Sequence, residues 1–413
     1  MTAIPKELDK FSAEQVADVL SVSKRNLETW ARNGKLVPEY ISGKEALYSQ
    51  KQLEQFEQFQ SFFNSSWDQE QLVSPNCEYN SIELFAGAGG LALGLEEAGF
   101  KHVLLNELDK SACATLRHNR PNWNVIEGDI RKVDFTAYKN SIDLLTGGFP
   151  CQAFSYAGKK LGFEDIRGTM FFEFARALKE IQPKIFLAEN VKGLLSHDDG
   201  KTLETIKNII NELGYELVED NVYKAIFYKV PQKRERLILV GVRKDLVEKA
   251  VFTPPSPYKR ILTVKDALKK GVLFESDVPI SVGQKYPERK KEIFDHVPEG
   301  GYWRDLPLDL QKEYMQASFY LGGGKTGMAR RLSWNEPSLT LTCAPAQKQT
   351  ERCHPTESRP LTVREYARIQ TFPDNWIFQG SMSAQYKQIG NAVPVNLSLA
   401  LGKALIKMLN NLD

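Results

Sequence analysis

The chain has 413 residues, 42% of them hydrophobic and 26% charged, with a net charge of +2. This is ordinary for a soluble globular protein of two or three domains, and the bulk charge does not announce a nucleic-acid partner. Five scattered cysteines with no CxxC pair exclude a disulfide framework, and neither "MTAIPKELDK" nor any later run reads as a signal core or membrane span; a reducing, cytoplasmic setting is expected.

In "FSAEQVADVLSVSKRNLETWARNGKLV", Val16, Val19, Leu20, Leu27 and Trp30 recur at helical spacing. Ser12 and Gln15 fit a capping box. "SVS" breaks the pattern, and Gly34 ends a second helix carrying Lys24, Arg25 and Arg32. Two short helices about a tight turn resemble a helix-turn-helix of the mercury-resistance-regulator type. The alternative is a small docking module, since residues 1–76 hold eight Lys and Arg against eleven Asp and Glu. Polar "NSSWDQEQLVSPNCEYN" reads as a linker.

Six short apolar runs follow: "SIELF", "VLLNE", "NVIEGD", "IDLLTGG", "KIFLAEN" and "RLILVGV". Helical segments 90–98, 110–118, 171–181 and 202–213 alternate with them. Alternation of this kind implies a doubly wound α/β fold with a mostly parallel sheet. Its ligand crevice lies at the strand C-termini, here Gly87, Glu107, Asp129, Pro150–Cys151 and Glu189–Asn190. From about 244 to 358 the alternation fades into Pro-, Gly- and Lys/Arg-rich segments, and residues 251–355 hold sixteen basic against twelve acidic side chains. Two helices then return in "RPLTVREYARIQTFPDNW" and "YKQIGNAVPVNLSLALGKALIKML".

"ELFAGAGGLALGL" leaves a strand and opens a helix. Gly87, Gly89 and Gly90 permit a tight turn and close backbone approach to a ligand. Glu107 lies 20 residues beyond Gly87, where an acid accepts ribose hydroxyls. A nicotinamide or another adenosine cofactor fits equally at this point. Asp129 either meets an adenine amino group or caps a turn.

"GGFPCQAFS" sets Cys151 behind a proline in a glycine turn. A nucleophilic thiol needs an acid or base partner, and none of the five histidines falls in a recognisable partner motif. The next strand ends offer Glu189 and Asn190, then Arg234 and Arg236 in "VPQKRER". An acid and an arginine around a thiolate suit a heteroaromatic ring with a nitrogen to protonate and a carbonyl to hold, such as cytosine.

Seven stretches occur in one order: "ELFAGAGGLALGL", "GGFPCQAFS", "RGTMFF", "ENV", "VPQKRER", "RPLTVREYARIQTFP" and "YKQIGNAVPV". Over roughly 81–400 they resemble the DNA (cytosine-5) methyltransferases of restriction-modification type. The resemblance implies a Rossmann-like class I S-adenosylmethionine-dependent methyltransferase domain at 81–243 and 359–413. It further implies an irregular target-recognition domain at 244–358, after an N-terminal module at 1–63 and a linker at 64–80. Cys151 is then the nucleophile, Glu189 contacts N3 and the exocyclic amine, and Arg236 and Arg234 serve the base or the thiol. S-adenosyl-L-methionine is expected against Phe85, Ala86, Gly87, Gly89, Gly90, Glu107, Leu108, Asp129, Ile130, Pro150, Asn391 and Val393. Leu108 replaces the family's frequent aromatic residue, and Glu83 its more frequent aspartate. The long loop after Cys151 is expected to close over a flipped base.

Ser155, Arg167, Gln232, Arg330 and Arg331 are the expected DNA contacts, the last two in "GGGKTGMARRLSW". "GGGKT" is not a phosphate loop, because Phe319 stands where the pattern needs glycine. Cys343 and "ERCHP" are too loosely spaced for zinc, so no metal is expected. Cys77 and Cys113 read as inert. Trp303, Trp334 and Trp376 read as packing residues. A monomer on double-stranded DNA in the bacterial cytoplasm is expected, with a cognate restriction endonuclease as genetic partner. A transfer-RNA cytosine methyltransferase and an autoregulatory DNA-binding repressor are the competing readings.

Overall fold

The computed structural model describes residues 10–42, 45–150 and 169–412. The chain forms two compact units, Met1–Glu70 with Ser256–Ile261, and Gln71–Pro255 with Leu262–Asp413.

In the first unit, helices Ala13–Leu20 and Lys24–Arg32 occupy the expected segments. The capping box forms: the Gln15 N–H donates to Ser12 Oγ at 3.2 Å, and the Ser12 N–H to Gln15 Oε1 at 2.9 Å. Ser21 turns the chain with φ 58°. Strand Glu45–Ser49 pairs antiparallel with both Lys10–Ser12 and Tyr40–Ser42. The core is aromatic, with Phe11 edge-on to Phe59 at 5.4 Å and Phe62 at 6.1 Å. The expected linker is partly structured. Trp67–Glu70 forms a helical turn, because Trp67 finds burial against Tyr258 at 5.6 Å. Glu70 also accepts the Ser256 N–H at 2.8 Å.

The second unit is built on a seven-stranded sheet. Its strands are β1 (Tyr79–Leu84), β2 (Phe100–Glu107), β3 (Val125–Glu127), β4 (Leu144–Gly147), β5 (Ile185–Val191), β6 (Tyr215–Lys224) and β7 (Glu235–Arg243). Their order is β3-β2-β1-β4-β5-β7-β6. β1 to β5 run parallel, and β7 runs antiparallel to both β5 and β6. Helices α1 (Gly90–Ala98), α2 (Lys110–Asn119), α3 (Met170–Ile181) and α4 (Lys201–Glu212) match the expected segments. β6 escapes sequence reading because "YELVEDNVYK" alternates charged with apolar residues, as an edge strand does.

One apolar layer packs α3 and α4 on the sheet through Phe174, Leu178, Ile206 and Ile209. The other is completed from the far end of the chain, by α5 (Val363–Ile369), α6 (Met382–Asn391) and α7 (Val395–Asn410). Met382–Asn410 is long and apolar enough to cross a membrane, but 78% of its most apolar window is buried within the fold. Residues 286–353 have a core of their own, around Tyr286, Phe294, Trp303, Met315 and Cys353.

α1 and α7 approach at small residues. A Cβ on Gly94 would lie 2.4 Å from Ser398 Cβ and 2.5 Å from the Val395 carbonyl oxygen. Gly94→Val is therefore expected to cost about 1–3 kcal/mol by overpacking, read as a lower midpoint in thermal unfolding. Gly193, where an added Cβ would meet nothing within 4 Å among the described residues, is the control position at which a substitution leaves the midpoint unchanged.

Candidate active site

β1 delivers the chain to a loop that α1 closes. Phe85, Gly87 and Gly89 take left-handed φ values of 57°, 55° and 86°. Phe85 is not glycine, so it holds that conformation at a cost, as residues facing ligands often do. Gly90 is required by distance: a Cβ there would lie 2.3 Å from the Val393 carbonyl oxygen. The C-terminal segment thus crosses directly over the loop.

Glu107, at the end of β2, accepts the Gly87 N–H and the Asp109 N–H, each at 2.7 Å. One carboxylate therefore fixes the loop against the next strand end. Asp109 caps α2 and pairs with Lys387 at 3.0 Å. The Ser111 hydroxyl, then Lys387, hold the Asp109 carboxyl down to about 2. Asp129 caps a short turn at Ile130–Lys132 and pairs with Arg131 at 2.5 Å. The Arg131 side chain holds it down to about 2. The turn-capping alternative is thus realised, and Asp129 also lines the cavity.

β4 and β5 supply the other wall. Gly148 has no Cβ because one would sit 2.7 Å from Glu189 Oε2. Asn190 Nδ2 donates to the Phe149 carbonyl at 3.0 Å, fixing the turn that leads to Pro150. In the antiparallel β5–β7 pair, Glu189 lies opposite Ile238 and Val191 opposite Arg236. That register brings Arg236 Nε to 2.5 Å from Glu189 Oε1, both side chains largely buried.

These groups share one cavity of about 490 Å³. It brings together Phe85, Ala86, Gly87, Gly90, Glu107, Leu108, Asp129, Ile130, Pro150, Asn391 and Val393 with Glu189 and Arg236. Gly89 stands behind the loop, against Leu116 and Trp376. Cys151, Ser155 and Arg167, with the rest of the loop expected to close over the base, lie outside the described residues.

Three expected residues are placed elsewhere. Arg234 is 1% exposed and does not line the cavity. It donates to the carbonyls of Gly390 (3.0 Å), Leu341 (3.3 Å) and Asn391 (3.4 Å), and burial pushes it down to about 9. Gln232 is fully buried, donating to Gln370 Oε1 and accepting the Leu341 N–H, each at 2.9 Å. Arg331 is 4% exposed and bonded to the carbonyls of Val297, Phe294 and His354. All three side chains are engaged by groups of the protein itself. Burial pushes the Cys113 thiol up to about 12 and Cys353 up to about 11, consistent with inert packing roles. Trp303 and Trp376 are buried in cores, and Trp334 packs edge-on to His354 at 5.2 Å.

Sequence reading missed Asn106, Lys387 and Gln388 as lining residues. Asn106 was findable as a polar residue at a strand end; it holds the Ile126 and Gly128 carbonyls, each at 3.1 Å. Glu83 also lines the cavity, though it is only 2% exposed. Its Oε2 has no hydrogen-bond partner among the described residues. Burial, reinforced by Glu107, pushes its carboxyl up to about 8.

The strand order, the glycine loop and the acid at the end of β2 define a class I methyltransferase fold. The model for the C-5 cytosine-specific DNA methylases matches residues 79–407, and that for MerR helix-turn-helix regulatory proteins matches 11–66. The chain belongs to the C-5 cytosine-specific DNA methylase family. It is 70% identical to the type II methyltransferase M.PspPI of a Psychrobacter species, over 97% of this chain and 96% of that one. It is 68% identical to M.Eco47II of Escherichia coli, over 98% and 97%. The fold is also that of the Entamoeba histolytica methyltransferase EhMeth, at 16% identity and a TM-score of 0.57 over 81% of this chain and 99% of that one. The protein is a type II DNA cytosine-5 methyltransferase with a MerR-like N-terminal region.

The Glu83 shift sets a pH dependence. The folded protein keeps a proton that the unfolded chain has released, so this group lowers stability as pH rises from 4.5 to about 8. Glu83→Gln should therefore gain roughly 2–4 kcal/mol relative to wild type at pH 9 over its difference at pH 4. Urea unfolding of the two proteins at both values measures this, and parallel pH profiles would refute it.

Proposed function

We propose that the protein methylates C5 of a cytosine flipped out of duplex DNA at a short specific sequence. Cys151 forms the covalent bond to C6, and the modification protects that sequence from a cognate restriction endonuclease. The observation that carries this reading is the Glu189–Arg236 pair in the cavity that also holds the glycine loop, Glu107 and Pro150.

A stacked cytosine exposes neither C6 nor N3 to side chains, so the base must leave the helix at a cost of a few kcal/mol. Pro150, the residue before Cys151, lines the cavity. Addition of the thiolate to C6 loads the ring with electron density, and Glu189 relieves it by sharing a proton with N3. Arg236 holds the Glu189 carboxyl in place and offers a donor for the base carbonyl. Once C5 has taken an electrophilic methyl group, loss of its proton to a base expels the Cys151 thiolate from C6 and restores the aromatic ring.

S-adenosyl-L-methionine, the donor expected of this family, supplies an electrophilic methyl group. The residues present fit it. Glu107 is available to ribose hydroxyls, Phe85, Leu108 and Ile130 offer apolar surface to adenine, and the unpartnered Glu83 oxygen suits an ammonium group. Asn391 and Val393 close the cavity from the C-terminal segment.

Cys151→Ser should abolish transfer of labelled methyl groups to duplex DNA while S-adenosylmethionine still binds. Glu189→Gln should lower the rate by about 10²- to 10⁴-fold, the range for a general acid. Turnover retained in the serine variant would sink the mechanism, and methylation of transfer RNA but not duplex DNA would favour the competing substrate.

The MerR-type match supports a second activity: the N-terminal unit binds DNA near the gene and represses transcription. Arg25 is exposed on the second helix. Arg25→Ala in the full chain should lose promoter binding in a mobility-shift assay and keep methyl transfer. Equal binding by variant and wild type would count against this reading.

A further inference from the structure

We infer that Arg330 reads a guanine edge in the target sequence, and that Glu351 is the residue that positions it. This rests on the methyltransferase reading and separates two adjacent arginines that the sequence cannot tell apart.

The chain around Arg330 is pinned on both sides. Ala329 is fully buried and adopts φ 45°, a left-handed conformation that alanine avoids. Glu351 holds it there by accepting the Ala329 N–H at 3.0 Å. Glu351 is itself fully buried, ion-paired with Lys290 and hydrogen-bonded by the Tyr314 hydroxyl. Its charge is thus neutralised where it acts, as a buried carboxylate requires. On the other side, Arg331 donates to Phe294 at 2.6 Å, Val297 at 2.8 Å and Ser358 Oγ at 2.8 Å. The Arg330 carbonyl between them accepts the Cys353 N–H at 3.0 Å.

The Arg330 side chain, at the centre of this clamp, has no acceptor to bind among the described residues. It is half-buried, and its Nε is buried with no hydrogen-bond partner among them. No carboxylate pairs with it among those residues; its neighbour is the Tyr302 ring, 6.0 Å from the guanidinium carbon. The nearby Arg352 directs its donors to the Thr340 and Glu351 carbonyls, and the like charge of Arg330 helps to depress it. An unpaired, partly desolvated guanidinium beside a like charge is unfavourable until a ligand supplies acceptors. A phosphate contact carries no sequence information, whereas base readout needs the planar guanidinium fork held in register with the base edge. A backbone locked on both sides supplies that register, and guanine O6 and N7 accept such a fork.

The test is methylation of a duplex library randomised around one cytosine, with S-adenosylmethionine, read by bisulfite sequencing. Wild type should return a context with fixed positions. Arg330→Ala and Arg330→Lys should both relax one G·C position by about ten- to a hundredfold. The other positions and cofactor affinity should not change. Lysine keeps the charge but lacks the fork, so a lysine variant with wild-type context overturns the proposal. So does a uniform loss over all contexts with a shallower salt dependence, which marks a phosphate contact. Glu351→Gln, or Tyr314→Phe where that variant does not fold, should relax the same position. A lower melting temperature with unchanged context would reduce Glu351 to a purely structural role and overturn its half of the proposal. A wild-type protein that leaves the library unmethylated overturns the methyltransferase reading itself.

Discussion

The site depends on one close approach of backbone to backbone, the crossing of the segment after α6 over the glycine loop after β1. Gly90 is at the crossing because any side chain would meet the Val393 carbonyl. The two strands of chain come from opposite ends of the catalytic unit, so neither contains the cavity alone. Much of the surrounding polar network serves to keep them together. Gln370 Nε2 donates to the carbonyls of Ile389 at 2.7 Å and Ala392 at 3.2 Å. Gln232 holds Gln370, and Arg234 holds Gly390 and Asn391. Buried hydrogen-bond networks of this type rigidify the elements that they join. Arg234 and Gln232 therefore matter to the cavity wall they support, and neither reaches into it.

The electrostatics of the cavity divide in two. Glu83, Glu107, Asp109 and Asp129 gather on the side of β1, β2 and β3, where a cationic donor is expected. Asp109 and Asp129 are engaged by Lys387 and Arg131. Glu83 has no cation against it among the described residues, and burial keeps it protonated near neutrality. On the side of β5 and β7, Glu189 faces Arg236. Here the ion pair fixes the position of the carboxyl in the cavity wall.

The strands and helices from 79 to 212 were legible because each is a buried apolar run or a helix with a clear stop. The polar residues at the strand ends were legible for a related reason: a parallel sheet buries its strands and leaves only their C-termini to carry chemistry. β6 was not, because an edge strand with one solvated face carries charge at alternate positions. The structured part of the expected linker was hidden for another reason. Trp67 is buried by residues almost two hundred positions away, and local pattern carries no trace of such a partner.

Arginine shows this limit most sharply. In "VPQKRERL" and "GMARRL" the residues look alike, charged and beside glycine or proline turns, and the sequence offers all four to ligands. Folding sorts them by the acceptors within reach. Arg234 and Arg331 meet backbone carbonyls left over by irregular chain and become struts, since buried carbonyls without donors would be costly. Arg236 meets a carboxylate across two paired strands and lines the cavity with it. The Arg330 side chain meets no acceptor among the described residues. Arg331 engages Nε and both terminal nitrogens within the protein, and Arg234 its two terminal nitrogens, whereas Arg330 engages none among the described residues.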